Sequence, residues 1–347
     1  MTKVPREDAR PGAPTSAGVP EISLFAYNEG ELVERVAPSL DELESFRHFP
    51  GTVWININGM GAAGAVERLC GLYGVHPLIV EDIVTKGQRP KLDDFDAYLA
   101  IALKMFYLAD AGGEVIDEQV SLVLGADYLL SFQEKPERDV FEPARIALRT
   151  GKGKLRKLGA DHLAYALVDA IVDNYYLVLD RLAERFEALE DEVLDVPAQN
   201  TLQRMHELRN EIIFMRRSVW PLRDVIDKLM RGGEELVRPQ TAVYLKDVYD
   251  HTVQIMEQIE VMRDLVSGLL EMYLSSVSLK LNEVLKRLTV ITTMFMPLTL
   301  LTGIGGMSEW TAMTGEQNRW WSYPALCLGL AALGFGTYVF FRRKKWV

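Results

Sequence analysis

The chain has 347 residues, 38 Lys and Arg against 49 Asp and Glu, a formal charge of −11 and 48% hydrophobic residues. That length allows two domains, or one domain with a membrane part, and the acidic balance argues against a nucleic-acid partner. The two cysteines, Cys70 and Cys327, show no C-x-x-C spacing, so neither a disulfide framework nor a zinc knuckle is expected.

Residues 1–20, rich in Pro, Gly, Ala and Ser, read as a mobile arm, and no apolar core with a cleavage site marks a signal peptide. Residues 21–160 mix short β-type runs with helical ones and predict a cytoplasmic α/β domain with a mostly antiparallel sheet. "GTVWINING" alternates as a strand does. "AYLAIALKMFYL" and "QVSLVLGADYLLSFQ" read as two more strands around the turn "ADAGGEV". Helices are expected at "SLDELESF", where Ser39 and Glu42 form a capping box, and at "AAGAVERLCGLYG". No glycine-rich phosphate loop follows a strand, and no Ser-His-Asp or Cys-His arrangement suggests an enzyme. His48, His76, His162, His206 and His251 lie outside helical ligand spacing of one another, so no catalytic zinc site is expected.

From Asp161 the pattern turns helical. Residues 161–238 hold two helical stretches, one closed near Pro197 and the other at Gly232-Gly233. Pro239 is suited to start a third, and no breaker follows before Pro297. Continued to Gly303, the segment 239–303 is a stalk helix roughly 95 Å long at 1.5 Å per residue. From Leu288 to Ser308 no Asp, Glu, Lys or Arg occurs, nor from Trp320 to Phe341. Each run is long enough to cross a hydrocarbon core about 30 Å thick. The expected layout is therefore a first span ending the stalk, a loop at 304–319, a second span at 320–341 and a basic tail at 342–347. Lys280, Lys286 and Arg287 precede the first span and Arg342, Arg343, Lys344 and Lys345 follow the second, whereas the loop has Arg319 against Glu309 and Glu316. The excess of basic residues predicts both termini in the cytoplasm of a multi-pass protein in a bacterial-type inner membrane.

Alternating steps of four and three along the stalk trace one face: Glu271, Ser275, Ser278, Asn282, Leu285, Thr289, Thr292, Met296, Thr299, Gly303. Most of these are polar, and the row continues into the apolar span. Ser and Thr in a membrane helix serve close helix packing or face water. A stripe of about nine turns, broken by single levels of Leu285 and Met296, fits a pore with apolar constrictions better. One copy has too few helices to enclose a pore, so several are required.

The stretch "YLSSVSLKLNEVLKRLTVITTMFMPLTLLTGIGGMS" resembles the pore helix of the CorA-type divalent-cation channels, which carry a Gly-Met-Asn signature at the outer mouth. "HPLIVEDIVTKGQRPKLDDF", "YLKDVYDHTVQIMEQIEVMRD" and the basic cluster before Trp346 agree with the same family. The resemblance implies a homopentamer in which stalk helices line one axial pore, with an α/β cytoplasmic funnel. It puts the signature on Gly306, Met307 and Ser308, with Ser in place of Asn and Gly305 in place of the usual aromatic; Glu309 follows and offers a carboxylate ring. It maps pore positions onto Asn282, Leu285, Leu288, Thr289, Met296, Thr299 and Gly303, to which the stripe adds Thr292. It also implies a regulatory metal site between subunits at Glu81 or Asp82 and Asp247, residues that read alone as surface charge. No cofactor is expected. Divalent cations (Mg²⁺, with Co²⁺, Ni²⁺ and Zn²⁺) enter as substrate, and Mg²⁺ also as regulator; the other partners are further copies of the chain and the lipid bilayer. A proton-coupled zinc transporter of the ZntB type and a non-conducting scaffold are the competing expectations.

Overall fold

The computed structural model describes residues 21–59, 63–109, 113–135, 139–195, 200–231, 236–305, 314–344 and 346. The N-terminal arm lies outside them. Seven strands form one sheet: β1 (Glu21–Tyr27), β2 (Leu32–Val36), β3 (Thr52–Asn58), β4 (Lys91–Asp94), β5 (Tyr98–Leu108), β6 (Val115–Gly125) and β7 (Tyr128–Gln133). Their order is β2-β1-β3-β7-β6-β5-β4. Every pairing is antiparallel except β3 with β7, which runs parallel with Trp54 opposite Leu129. The mostly antiparallel α/β reading holds. "QVSLVLGADYLLSFQ", read as one strand, is instead the end of β6, a tight turn and β7, with Leu124 paired to Leu129. Gly125 permits that turn, because a Cβ there would clash with the Tyr128 ring.

Alternation along the strands sorts side chains into two layers. Val53, Ile55 and Ile57 of β3 join Leu24, Val123, Leu130 and Phe132 against α1 (Leu40–Ser45), α2 (Ala63–Leu72) and α3 (Pro77–Val84), which contribute Leu43, Leu69, Ile79 and Ile83. The capping box at the start of α1 forms as the sequence indicates: Glu42 N–H donates to Ser39 Oγ at 3.2 Å, and Ser39 N–H to Glu42 Oε2 at 3.3 Å. On the other face Trp54 meets Phe25 at 5.1 Å and Phe141 at 6.3 Å between ring centroids. The guanidinium of Arg145, from α4 (Glu142–Thr150), lies 5.5 Å from the Trp54 ring. The polar atoms buried there satisfy one another, since Trp54 Nε1 donates to Ser131 Oγ at 2.8 Å and Ser131 Oγ to Asn56 Oδ1 at 2.5 Å.

Three long helices follow: α5 (Ala160–Leu194), α6 (Thr201–Arg231) and α7 (Pro239–Gly305). The last helix is α8 (Arg319–Arg343). α5 packs on the sheet through Tyr175, fully buried, whose hydroxyl donates to the Lys104 carbonyl, and through Asn174, whose amide donates to the Phe106 carbonyl. The start of α7 is tied to the start of α5, because Arg238 donates to the buried Asp161 carboxylate from its backbone N–H at 3.1 Å and from its guanidinium at 2.5 Å. α7 has 67 residues, about 100 Å at 1.5 Å per residue, and Pro297 sits inside it without ending it. Contacts divide the chain into two compact units. One holds the sheet and extends through Ser267, and the other comprises Asp191–Leu202 with the chain from Gly268 onward.

Candidate ion pathway and metal-ligating cluster

α7 and α8 each contain an apolar window long enough to cross a bilayer, and only 6% of each window is buried by the rest of the chain. A core helix of a soluble protein would be covered; these are bare. The ten stripe residues from Glu271 to Gly303 are all exposed on α7. Exposure alone does not single them out, since Phe295 and Leu300 are equally open. What distinguishes the stripe is its continuity, since Ser275, Ser278, Asn282, Thr289, Thr292 and Thr299 follow one another on one face, while the hydroxyl bonding of its threonines is shared with Thr302 off that face and Thr337 on α8. Thr289 Oγ1 donates to the Leu285 carbonyl at 2.8 Å, Thr292 to Leu288 at 2.9 Å and Thr299 to Phe295 at 2.8 Å. Each threonine thus gives its one proton to the preceding turn and presents its oxygen outward as an acceptor. A hydrated cation turns the hydrogens of its inner waters outward, so acceptors are what such a shell meets favourably. Gly303 adds no side chain, and a Cβ there would touch nothing. Asn282 and Leu288 are likewise exposed. Gly306, Met307, Ser308 and Glu309 lie outside the described residues.

The acidic residues fall into two places. Glu81 and Asp82 occupy α3, which starts at Pro77 with His76 Nδ1 accepting from Leu78 N–H at 3.2 Å. Asp82 accepts from Gln88 Nε2 at 3.0 Å and from Lys91 Nζ at 2.6 Å, so an arriving cation meets a carboxylate already paired with an ammonium. That hydrogen bond is the main reason the Lys91 ammonium is held above its ordinary range. Asp247, on α7, lies apart from these: its carboxylate is 3.9 Å from His251 Nε2, one turn on. Among the described residues no contact joins Asp82 to Asp247 within one chain.

His251 leads to a cluster that the sequence reading did not single out. One ligand atom each from Asp169 and Asp173 on α5 and His251 on α7 all lie within 4.8 Å of one another. Tyr165 donates to Asp169 Oδ2 at 3.2 Å, and the Tyr176 ring stands edge-on to His251 at 6.1 Å. Burial and the charge of Asp173 push the Asp169 carboxyl above its usual range. Two carboxylate oxygens and one imidazole nitrogen form a donor set that suits Co²⁺, Ni²⁺ or Zn²⁺, while the oxygens alone suit Mg²⁺. The sequence signal for it is the i,i+4 pair Asp169 and Asp173; His251 lies 78 residues beyond Asp173 and reaches them only through packing of α7 on α5.

This fold carries two bare apolar helices after an α/β domain, and the class it defines is a membrane protein. Residues 50–343 match the family described as CorA-like Mg2+ transporter protein. The cobalt/magnesium transport protein CorA of Thermotoga maritima is 42% identical over 329 residues, covering 94% of this chain and 92% of that protein. CorA of Methanocaldococcus jannaschii, also named a cobalt/magnesium transport protein, is 25% identical over 333 residues, covering 94% of this chain and all of that one. The complete structure of the M. jannaschii CorA magnesium transporter superposes with a TM-score of 0.76 at 19% identity, over 94% of this chain and 98% of that one. The chain belongs to the CorA-like Mg2+ transporter family, whose members are transporters and not enzymes.

Proposed function

We propose that the protein is a channel-type transporter of hydrated divalent cations, Mg²⁺ foremost and Co²⁺, Ni²⁺ and Zn²⁺ after it, through an axial pore enclosed by α7 from five copies. The observation that carries this reading is the row Thr289, Thr292 and Thr299, exposed on one face of an otherwise apolar span in line with Ser275, Ser278 and Asn282, with hydroxyl oxygens left as outward acceptors. Lipid offers such oxygens nothing, whereas a column of water around a cation does. Asn282, Leu285, Leu288, Met296 and Gly303 complete the lining, with Leu285 and Met296 as the dry levels. Gly306, Met307, Ser308 and Glu309 form the outer mouth, where Ser308 supplies a shorter acceptor than an amide and Glu309 supplies charge. The family match, together with basic flanks at Lys280, Lys286, Arg287, Arg342 and Arg343, favours an inner membrane with both termini cytoplasmic.

Cytoplasmic Mg²⁺ regulates this pore at a site built from Glu81 or Asp82 of one subunit and Asp247 of the next. The Asp169, Asp173 and His251 cluster extends that site toward transition metals. The residues of the extended site sit on α3, α5 and α7, so a bound cation adds attraction among Asp169, Asp173 and Asp247, and at Asp82 it competes with Lys91. Uptake into proteoliposomes of purified protein, measured with a panel of Mg²⁺, Co²⁺, Ni²⁺ and Zn²⁺, tests the reading. Saturable uptake of at least one divalent ion is expected, and no uptake of any would overturn it.

A further inference from the structure

The two bare helices form an antiparallel hairpin whose register is fixed at two points. A Cβ on Gly334 of α8 would lie 3.8 Å from Leu298 Cδ1 of α7. Trp346 lies twelve residues beyond Gly334, and its ring centroid is 5.9 Å from Nζ of Lys286, twelve residues before Leu298. Equal steps in opposite directions bring the chain end beside the point where α7 becomes apolar. Trp346 is held there: its N–H donates to the Phe341 carbonyl at 3.0 Å, and its ring lies 5.8 Å from that of Phe341. Phe341 and Val290 are among the few buried side chains of this unit, at 7% and 4% exposed.

Around this closed end stand Lys280, Lys286 and Arg287 on α7, and Arg342, Arg343 and Lys344 at the end of α8. Glu283 is the single carboxylate between 280 and 290, and it is occupied by Arg287 at 2.6 Å. Arg342 and Arg343 are exposed, and no carboxylate pairs with either among the described residues. Cations facing outward, directly beneath an apolar hairpin and beside an interfacial tryptophan, sit at the depth where lipid phosphates lie. Guanidinium groups match phosphate oxygens in pairs, and the Lys286–Trp346 contact offers a cation–π edge against which a headgroup packs.

We infer that this end of the hairpin binds the phosphate of an anionic phospholipid, held by Arg342 and Arg343 with Lys286 and Trp346 as its flank. The bound lipid joins α8 to the pore helix one residue from Leu285. This inference rests on the membrane reading above. Its test reads bound lipid and not flux, so the two readings fail separately.

The full chain is exchanged into vesicles of phosphatidylcholine with phosphatidylglycerol, symmetrical in both leaflets, then released and weighed by native mass spectrometry. Retention of phosphatidylglycerol over phosphatidylcholine is expected. The double variant Arg342→Gln with Arg343→Gln should lose that preference by about tenfold or more, Arg342→Lys with Arg343→Lys should keep part of it, and Trp346→Ala should shorten lipid residence. The assembly mass provides the folding control, and the lysine pair remains informative if the glutamine pair does not assemble. Unchanged preference in the glutamine pair, or equal loss in both pairs, would overturn the inference. So would displacement of the lipid by millimolar inorganic phosphate, since the site would then hold a free anion.

Discussion

Leu285 and Met296 interrupt the hydroxyl face of α7 with apolar side chains that are 49% and 69% exposed on the single chain. In the proposed pore, where copies would face one another around a narrow axis, such side chains would leave a column that water fills unfavourably. Replacing Leu285 by Ser should raise basal flux several-fold while the assembly mass stays the same; equal or lower flux would remove Leu285 from the gate. Asp247 poses a different question, because its neighbour is a histidine on its own helix and not Asp82. Asp247→Asn keeps the shape and removes the charge. The cytoplasmic Mg²⁺ needed for half inhibition should rise by about tenfold or more. His251→Gln should shift inhibition by Co²⁺ further than inhibition by Mg²⁺, since only the imidazole distinguishes them. Inhibition curves for both ions, measured from the cytoplasmic side, check the pair.

At the level of elements, the β6–β7 hairpin carries an ionisable group with an unusual setting. Glu118 is 1% exposed; its Oε1 accepts backbone N–H groups of Glu134 at 2.7 Å and Lys135 at 2.8 Å, and its Oε2 has no partner among the described residues. Burial pushes its carboxyl up to about 7, the Glu134 charge adds to that, and the two N–H groups and Lys135 oppose it. The folded state therefore holds a proton that the unfolded state has released. Its contribution to stability is complete below the ordinary value of 4.5 and is lost as pH rises through about 7. Glu118→Gln should flatten the slope of thermal midpoint against pH across that window, and an unchanged slope would assign the dependence elsewhere. The hairpin also shows where the sequence was readable. The capping box of α1 and the unbroken course of α7 depend on neighbours in sequence, and they were legible from Ser39, Glu42 and Pro239. The turn after Gly125 was not, because its reason is a ring three residues on that must lie where a Cβ would be. The polar stripe of α7 was visible as a period, and the structure leaves it exposed. The Asp169, Asp173 and His251 cluster joins α5 to α7, a pairing made by packing, and only the i,i+4 pair Asp169 and Asp173 was written in the chain.

For the whole molecule, the exposed stripe makes a quantitative demand. Two apolar windows, each 6% buried, leave most of their surface to lipid or to further copies, and a face of hydroxyls is ill suited to lipid. Detergent-solubilised protein should run in native mass spectrometry as a homopentamer of 39.2 kDa chains. A monomer or dimer as the main species would leave the stripe unenclosed and the proposed pathway without walls.

The back-bonded threonines of α7 have an electrical consequence. From Leu288 to Gly305 the helix contains no Asp, Glu, His, Lys or Arg, and the hydroxyl protons of Thr289, Thr292, Thr299 and Thr302 are committed to carbonyls of the preceding turn. No side chain on this stretch titrates near neutral pH, so a relay through side chains has no station there. In the proposed pore the current is then expected from the metal ion, two charges at a time. In a planar bilayer the zero-current voltage should move by about 30 mV for each tenfold gradient of divalent ion and stay fixed when a pH gradient is imposed. A zero-current voltage that follows pH would mean that protons travel with the metal, along the water and not through side chains.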